Sequence, residues 1–167
     1  KWGQESNSSK YGVKSSIRLW TPQHGCDAEN RQSCTLQNMN RKEFKKLVEE
    51  GFLLIPEKFR TQIKNVALLV EDRPSEEVRK REGLAEGETL LGLYQGIPST
   101  ARGDSYGVGE TLPDTITLYQ VPIEDAAREE GQDVRTVIAE TIWHEYAHYF
   151  GMDEDEVRFR EDLRTRP

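Results

Sequence analysis

The most regular pattern in the chain is a series of inward-facing positions at three- and four-residue intervals near the C-terminal end. These positions are Val134, Val137, Ile138, Thr141, Ile142, Glu145 and His148. This spacing is that of one face of an α-helix, and Asp133 is placed to cap its first turn. Gly151 stands where a left-handed residue ends a helix. The pattern predicts a helix over residues 134–150 with a glutamate and a histidine on its inward face.

Shorter patterns upstream predict the rest of the domain. Helices are predicted at residues 41–50, 55–63 and 121–130, and strands at 66–70, 90–94 and 116–120. The run at 66–70 is continuously apolar, which predicts a buried central strand. Helices and strands in this order predict an α+β domain whose sheet is covered on one face by helices. The loop from Ser99 to Thr115 is either mobile surface or part of a substrate cleft.

The predicted helix contains the sequence His144-Glu145-Tyr146-Ala147-His148. Residues four apart on a helix lie on the same face, with Cβ atoms about 5–6 Å apart. Two imidazoles at this spacing can converge on one ion at about 2.0–2.1 Å. Glu145 then faces the open side of the ion, where it can take a proton from metal-bound water and pass it to a leaving amine. The motif therefore predicts a site for one Zn²⁺ ion with its own general base.

The third metal ligand has to come from the segment after the helix. A turn at Gly151 can bring a carboxylate back to the metal, and Glu154, three residues further on, is the first choice. Asp153 and Asp155 remain open, because a shift of one residue would exchange them with Glu154. His24 lies in a weakly patterned stretch, so a site with three histidines is not favoured. Two histidines and a carboxylate leave the fourth position for water.

Residues 44–156 resemble small bacterial zincin-like proteins called minimal metalloproteases, which carry H-E-x-x-H-x-x-G-x-x-D. The segment at 91–98, LGLYQGIP, is similar to that family's LGLYxGxP, and ITLYQ at 116–120 is similar to its I-x-L-Y strand. The resemblance implies a zincin-like minimal domain with a small mixed sheet, a zinc cofactor and a peptide substrate paired with an edge strand near Gly96. Position 154 departs from the pattern, because it is Glu where the family usually has Asp.

These observations predict a zinc-dependent peptidase that hydrolyses peptide bonds with metal-activated water. His144, His148 and Glu154 are the expected ligands and Glu145 is the general base. The alternative is a non-catalytic zinc-binding domain with an interaction or structural role, and a weaker alternative is hydrolysis of a non-peptide amide. The sequence assigns no oxyanion-stabilising residue, and the nearest candidates are Tyr94, Tyr146 and Tyr149.

Composition and charge exclude some classes of binding partner. The chain of 167 residues is 35% hydrophobic and 32% charged, with a formal net charge of −7. No apolar run approaches the roughly eighteen residues that a membrane span needs, so we expect no membrane partner. The acidic balance argues against a general nucleic-acid binder, which needs a basic patch. A peptide or protein substrate is the expected partner, and the sequence does not indicate an oligomeric state.

Residues 1–38 differ from the remainder, because they show no helical or strand period. They contain five basic residues (Lys and Arg) and three acidic residues (Asp and Glu). Residues 39–167 therefore contain eighteen basic and twenty-seven acidic residues, which gives this part a formal charge of −9. Met39 precedes the first amphipathic helix. We expect 1–38 to be a non-native or disordered extension and 39–167 to be the metallopeptidase domain. Cys26 and Cys34 form one disulfide or stay free thiols. Without a signal segment, cytoplasm is the default location.

Overall fold

Four strands form one mixed sheet in the computed structural model, which describes residues 14–21, 39–102, 112–153, 155–157 and 159. The strands are β1 (Lys14–Trp20), β2 (Val66–Glu71), β3 (Thr89–Gly96) and β4 (Asp114–Tyr119). Their spatial order is β1-β3-β4-β2. β3 runs antiparallel to both of its neighbours, whereas β2 and β4 are parallel. The predicted α+β class and the mixed sheet are confirmed.

The helices in the described residues are α1 (Arg41–Leu53), α2 (Glu57–Arg60), α3 (Glu76–Arg81), α4 (Gln120–Glu130) and α5 (Val134–Tyr149), with a 3₁₀ turn at Ser99–Ala101. α1 begins with a capping box, in which the Asn40 side chain accepts from the Glu43 amide and the Glu43 carboxylate accepts from the Asn40 amide. Such caps satisfy amides that the first turn leaves without partners. Within these described helices, none is both long and apolar enough to cross a membrane.

The main hydrophobic core lies between the sheet and the helices α1, α4 and α5. Phe44 from α1, Ile138 and Ile142 from α5, and Tyr94 from β3 are all fully buried in it. Leu93 belongs instead to a smaller cluster, which Val78 and Leu84 complete. Neighbouring residues of a strand point to opposite faces, so Tyr94 marks the face that carries α5. This packing places the predicted active helix directly on β3.

Two sequence predictions are corrected by the fold. Residues 66–71 form β2, which lies at the edge of the sheet and pairs with β4 alone among the described strands, rather than in the centre. Its Leu69 side chain is 43% exposed. A continuous apolar run predicts a strand, but it does not show how many strands flank it or that both of its faces are covered. The helix predicted at 55–63 is also shorter, since α2 covers Glu57–Arg60.

The N-terminal segment contributes to the sheet. β1 pairs antiparallel with β3 from Lys14, opposite Gly96, to Trp20, opposite Thr89. Trp20 is buried, with 7% of its surface exposed, and belongs to the main core. For these seven residues the structure differs from the expected disorder, because backbone pairing needs no amphipathic period. The domain boundary at residue 39 stays a prediction, and Cys26, Cys34 and His24 lie outside the described residues.

Candidate metal centre

α5 is fixed at both ends by local contacts. The Asp133 carboxylate accepts a hydrogen bond from the Arg135 amide at 2.7 Å, which confirms the predicted N-cap. At the other end Gly151 has φ +85°, a conformation that glycine adopts without a Cβ penalty. The Gly151 amide donates to the His148 carbonyl at 2.9 Å, and the Met152 amide donates to the Ala147 carbonyl at 3.1 Å. These contacts end the helix one turn after His144, directly behind the turn that carries His148.

The two histidine rings lie together as the spacing predicted. The Nε2 atoms of His144 and His148 are 3.2 Å apart, and each residue is only 3% exposed. Nδ1 of His148 lies 2.9 Å from the Met152 carbonyl oxygen. A carbonyl only accepts, so this contact places the proton on Nδ1 and the lone pair on Nε2. Two nitrogens on one tetrahedral zinc are separated by about 3.3 Å, and the observed spacing fits that separation.

Glu145 lies against the backbone of β3. The Tyr94 amide donates to Oε2 of Glu145 at 2.8 Å, and the glutamate is fully buried. The close approach depends on Gly92, because a Cβ at this position would lie 2.8 Å from Oε1 of Glu145 and 2.7 Å from Cγ2 of Thr141. The carboxylate is thus held on the polar backbone of β3 by the Tyr94 amide and by its close approach to Gly92.

The third ligand is not settled by the described residues. Glu154 lies outside them. The Asp153 carboxylate accepts from the Glu156 amide at 2.9 Å, and the Asp153 carbonyl accepts from the Val157 amide at 3.0 Å, so Asp153 caps the next helical turn. Asp155 is exposed. Among the residues that the structure describes, no group of three or more His, Cys, Asp or Glu is arranged to hold a metal. Glu154 therefore stays a prediction.

A buried charged cluster beside the motif was not predicted from the sequence. Arg102 forms an ion pair with Asp114, and the Tyr94 hydroxyl donates to the same carboxylate at 2.8 Å. Arg102 also donates to the Tyr149 hydroxyl at 3.2 Å and lies over the Tyr149 ring at 4.6 Å. At Gly96 an added Cβ would lie 2.2 Å from Cγ of Asp114. The cluster joins the end of β3, the start of β4 and the last turn of α5.

The cluster also binds the hydroxyl groups of two of the three tyrosines that were candidates for stabilising the oxyanion. The hydroxyl of Tyr94 is bound to Asp114, and that of Tyr149 is bound to Arg102 and to the Lys64 amide. Burial, and secondly the hydrogen bond to Asp114, raise the pKa of Tyr94 well above its usual range. Burial likewise raises the pKa of Tyr146. The one signal in the sequence was an acidic residue, Asp114, at the start of a strand that carries no other charge.

The turn after the motif is packed from the other side by the 3₁₀ segment. A Cβ on Gly151 would lie 2.2 Å from Oγ1 of Thr100. Arg102 follows closely and donates through Nε to the Ile97 carbonyl at 2.8 Å. The first part of the predicted loop at 99–115 therefore contacts the turn that ends α5, and residues 103–111 of the loop lie outside the described structure.

A helix that presents two histidines and a glutamate in this way, packed on a small mixed sheet, is the arrangement expected of a zinc-binding hydrolase. The sequence pattern of the zincin-like metallopeptidase family matches residues 63–163, which is more than half of the chain. The protein belongs to the zincin-like metallopeptidase family.

Other comparisons add little about activity. No curated protein matches the sequence. A solved structure described as a conserved hypothetical protein from Thermo thermophilus is similar, with 28% sequence identity and a TM-score of 0.44. The match covers 67% of this chain and 94% of that one.

Proposed function

We propose that the protein is a zinc-dependent peptidase that hydrolyses peptide bonds. The observation that carries this proposal is the 3.2 Å separation of the His144 and His148 Nε2 atoms on the helix that also carries Glu145, whose carboxylate is bound to β3. Membership of a metallopeptidase family supports the same reaction class. The proposed substrate is an extended peptide or protein segment, and the proposed location is the cytoplasm.

The proposed metal ligands combine the two facing histidines with the carboxylate that the sequence pattern favours. His144, His148 and Glu154 would hold one Zn²⁺. When bound, zinc acidifies a water molecule and polarises the scissile carbonyl. The Met152 carbonyl holds the His148 ring with Nε2 towards His144, which is the role that an outer hydrogen-bond partner has in zinc sites. Because this partner is a backbone group, the orientation of His148 depends on the turn at Gly151.

Glu145 carries the proton transfers in this proposal. Its carboxylate takes a proton from the attacking water and delivers it to the amine that leaves. The Tyr94 amide fixes the carboxylate, so little reorganisation is needed when the proton moves. The buried ion pair of Arg102 and Asp114 connects β3 with the last turn of α5, through hydrogen bonds to Tyr94 and Tyr149.

The alternative is a zinc-binding domain without catalysis. One observation favours it, because His144 and His148 are 3% exposed and Glu145 is fully buried, so that a peptide bond cannot reach them without a rearrangement. A metal clamped in such a site would stabilise the fold, as structural zinc does.

Metal content and peptide hydrolysis, measured together, test the proposal. The purified protein should contain about one zinc per chain and cleave a quenched fluorescent peptide library, and chelation followed by zinc addition should abolish and restore cleavage. His148→Ala should lose both properties, whereas His24→Ala, the substitution of the remaining histidine, should lose neither. Zinc at full occupancy without hydrolysis would support the non-catalytic alternative. Absence of zinc binding would refute both.

A further inference from the structure

The strand that holds Glu145 is paired on both sides. β4 covers one edge of β3, and β1 covers the other. Without β1, β3 would be the last strand of the described sheet on this side. An exposed strand edge presents a row of backbone donors and acceptors, to which an extended peptide can add as a further strand. β1 therefore occupies a surface that suits an extended peptide.

β1 passes directly beside the candidate site. Ser16 of β1 is the pairing partner of Tyr94, and the Tyr94 amide is the group that binds Glu145. Arg18 is the partner of Gly92, where β3 makes its closest approach to α5. β1 also contacts α5 itself. The part of β1 from Lys14 to Arg18 thus lies along the segment of β3 that contacts the proposed general base.

An irregularity divides β1 into two parts. The pairing register shifts between Arg18 and Leu19. On one side of the shift Trp20 is buried in the main core and anchors the strand. On the other side residues 14–18 pair with residues 92–96 through the backbone. Because β-bulges interrupt the ladder locally, residues 14–18 can separate from β3 while Trp20 stays in place.

We propose that residues 14–18 are an internal occupant of the peptide-binding edge of β3 and that an extended peptide binds there by displacing them. This inference rests on the proposed function, since it assumes that the edge beside Glu145 is where a substrate pairs. Because a peptide binds only to molecules whose β3 edge is open, the apparent dissociation constant equals the intrinsic constant divided by the fraction of open molecules.

The charges of the chain indicate which peptides compete best. Residues 1–38 carry a formal charge of +2, from five basic and three acidic residues, whereas residues 39–167 carry −9. The occupant itself contains Lys14 and Arg18 and no acidic residue. Because opposite charges favour the encounter of an extended segment with an acidic surface, the edge should prefer peptides with basic residues.

A direct test compares two pairs of adjacent serines. Proline removes a backbone donor, and successive strand residues direct their amides to opposite sides. The double variant Ser15→Pro/Ser16→Pro therefore removes one hydrogen bond from β1 to β3 and leaves Trp20 unchanged. Ser8→Pro/Ser9→Pro is the matched control outside β1. Both are made in the full chain with Glu145→Gln and saturating zinc, so that the probe is not cut. The probe is a fluorescein-labelled peptide of the sequence at 14–20, KSSIRLW, and binding is followed by anisotropy.

The double variant should bind the probe about ten-fold more tightly than the Glu145→Gln chain and the Ser8/Ser9 control. Equal dissociation constants in all three would overturn the inference. Circular dichroism checks the fold. If the double variant unfolds, Ser15→Pro and Ser16→Pro are compared singly, since only one of them removes a bond to β3 and the other is its control. Equal binding by these two, at the affinity of the parent, would also overturn it.

Hydrolysis by the same serine variants with Glu145 intact separates this inference from the proposed function. Tighter binding without hydrolysis in any variant would retain the internal occupant and refute the peptidase. Hydrolysis with equal kcat/KM with and without the Ser15 and Ser16 substitutions would retain the peptidase and refute the occupant.

Discussion

Gly92 and Glu145 are packed so closely that no side chain fits between them. A Cβ on Gly92 would lie 2.8 Å from Oε1 of Glu145 and 3.0 Å from its Cγ. Two residues further along β3, the Tyr94 amide binds Oε2 of the same carboxylate. The missing side chain at 92 and the hydrogen bond at 94 together set the position of the proposed general base.

Gly92→Ala should therefore displace Glu145 and lower kcat/KM for peptide hydrolysis by about 10²-fold, because small misplacements of a catalytic group are costly. Zinc content should change little, since the three atoms nearest to the added Cβ belong to Thr141 and Glu145 and not to either histidine. Gly87→Ala is the control, because an added Cβ there meets nothing within 4 Å although its φ of +83° is strained. Loss of activity in both variants, or in neither, would contradict this role of Gly92.

The local parts of the site were predictable from the sequence. The helix over 134–149, its cap at Asp133 and the left-handed turn at Gly151 each depend on residues within a few positions. The facing histidines follow from the helical repeat alone. These elements were predicted nearly to the residue because tertiary packing was not needed to specify them.

The non-local parts were not predictable. β2 was expected in the centre of the sheet but lies at its edge, because strand order depends on which strands pair and not on their hydrophobicity. The pairing of β1 with β3 joins segments that are far apart in the chain, and no periodicity in residues 14–20 indicates it. Arg102 and Asp114 are twelve positions apart in the chain, and their contact could not be inferred from either residue.

The choice between Glu154 and Asp153 has a measurable consequence. Glu154→Gln should weaken zinc binding by at least about ten-fold, because a neutral amide replaces a carboxylate ligand. Asp153→Asn should leave zinc affinity nearly unchanged and cost about 1 kcal/mol of stability at most, since Asp153 caps a helical turn. Competition with a chromophoric chelator gives the affinities. The reverse order of effects would assign the metal to Asp153.

Asp114→Asn should destabilise the fold by about 3–5 kcal/mol, because it removes the carboxylate charge that pairs with the buried Arg102 guanidinium. Asp114 is 5% exposed, and the Arg102 side chain is 11% exposed. Asp125→Asn is the matched control, since Asp125 pairs with Arg128 at a partly exposed position and should cost less than about 1 kcal/mol. Urea unfolding of the two variants measures the difference, and similar midpoints would contradict the structural role of the Arg102–Asp114 pair.

Glu124 predicts a pH-dependent effect. Burial raises the pKa of its carboxyl above the ordinary value of 4.5, although Gln120 donates to it. A folded-state pKa above the unfolded value favours the protonated form, so the carboxyl contributes stability at low pH that is lost as pH rises through the folded pKa. Glu124→Gln should gain stability relative to the parent between pH 4.5 and neutrality, and should show no gain below that range. The exposed Glu130→Gln is the control, and a pH-independent difference for Glu124→Gln would contradict the prediction.

The central claim is that Glu145 transfers protons beside a zinc ion held by His144 and His148. Its most direct test is zinc content and single-turnover peptide hydrolysis of Glu145→Gln, with Glu130→Gln as the control. Glutamine keeps the shape and can accept from the Tyr94 amide, but it cannot take up a proton. The account predicts full zinc occupancy with hydrolysis reduced by about 10²–10⁴-fold. Hydrolysis at the rate of the unmodified protein in zinc-loaded Glu145→Gln would contradict it.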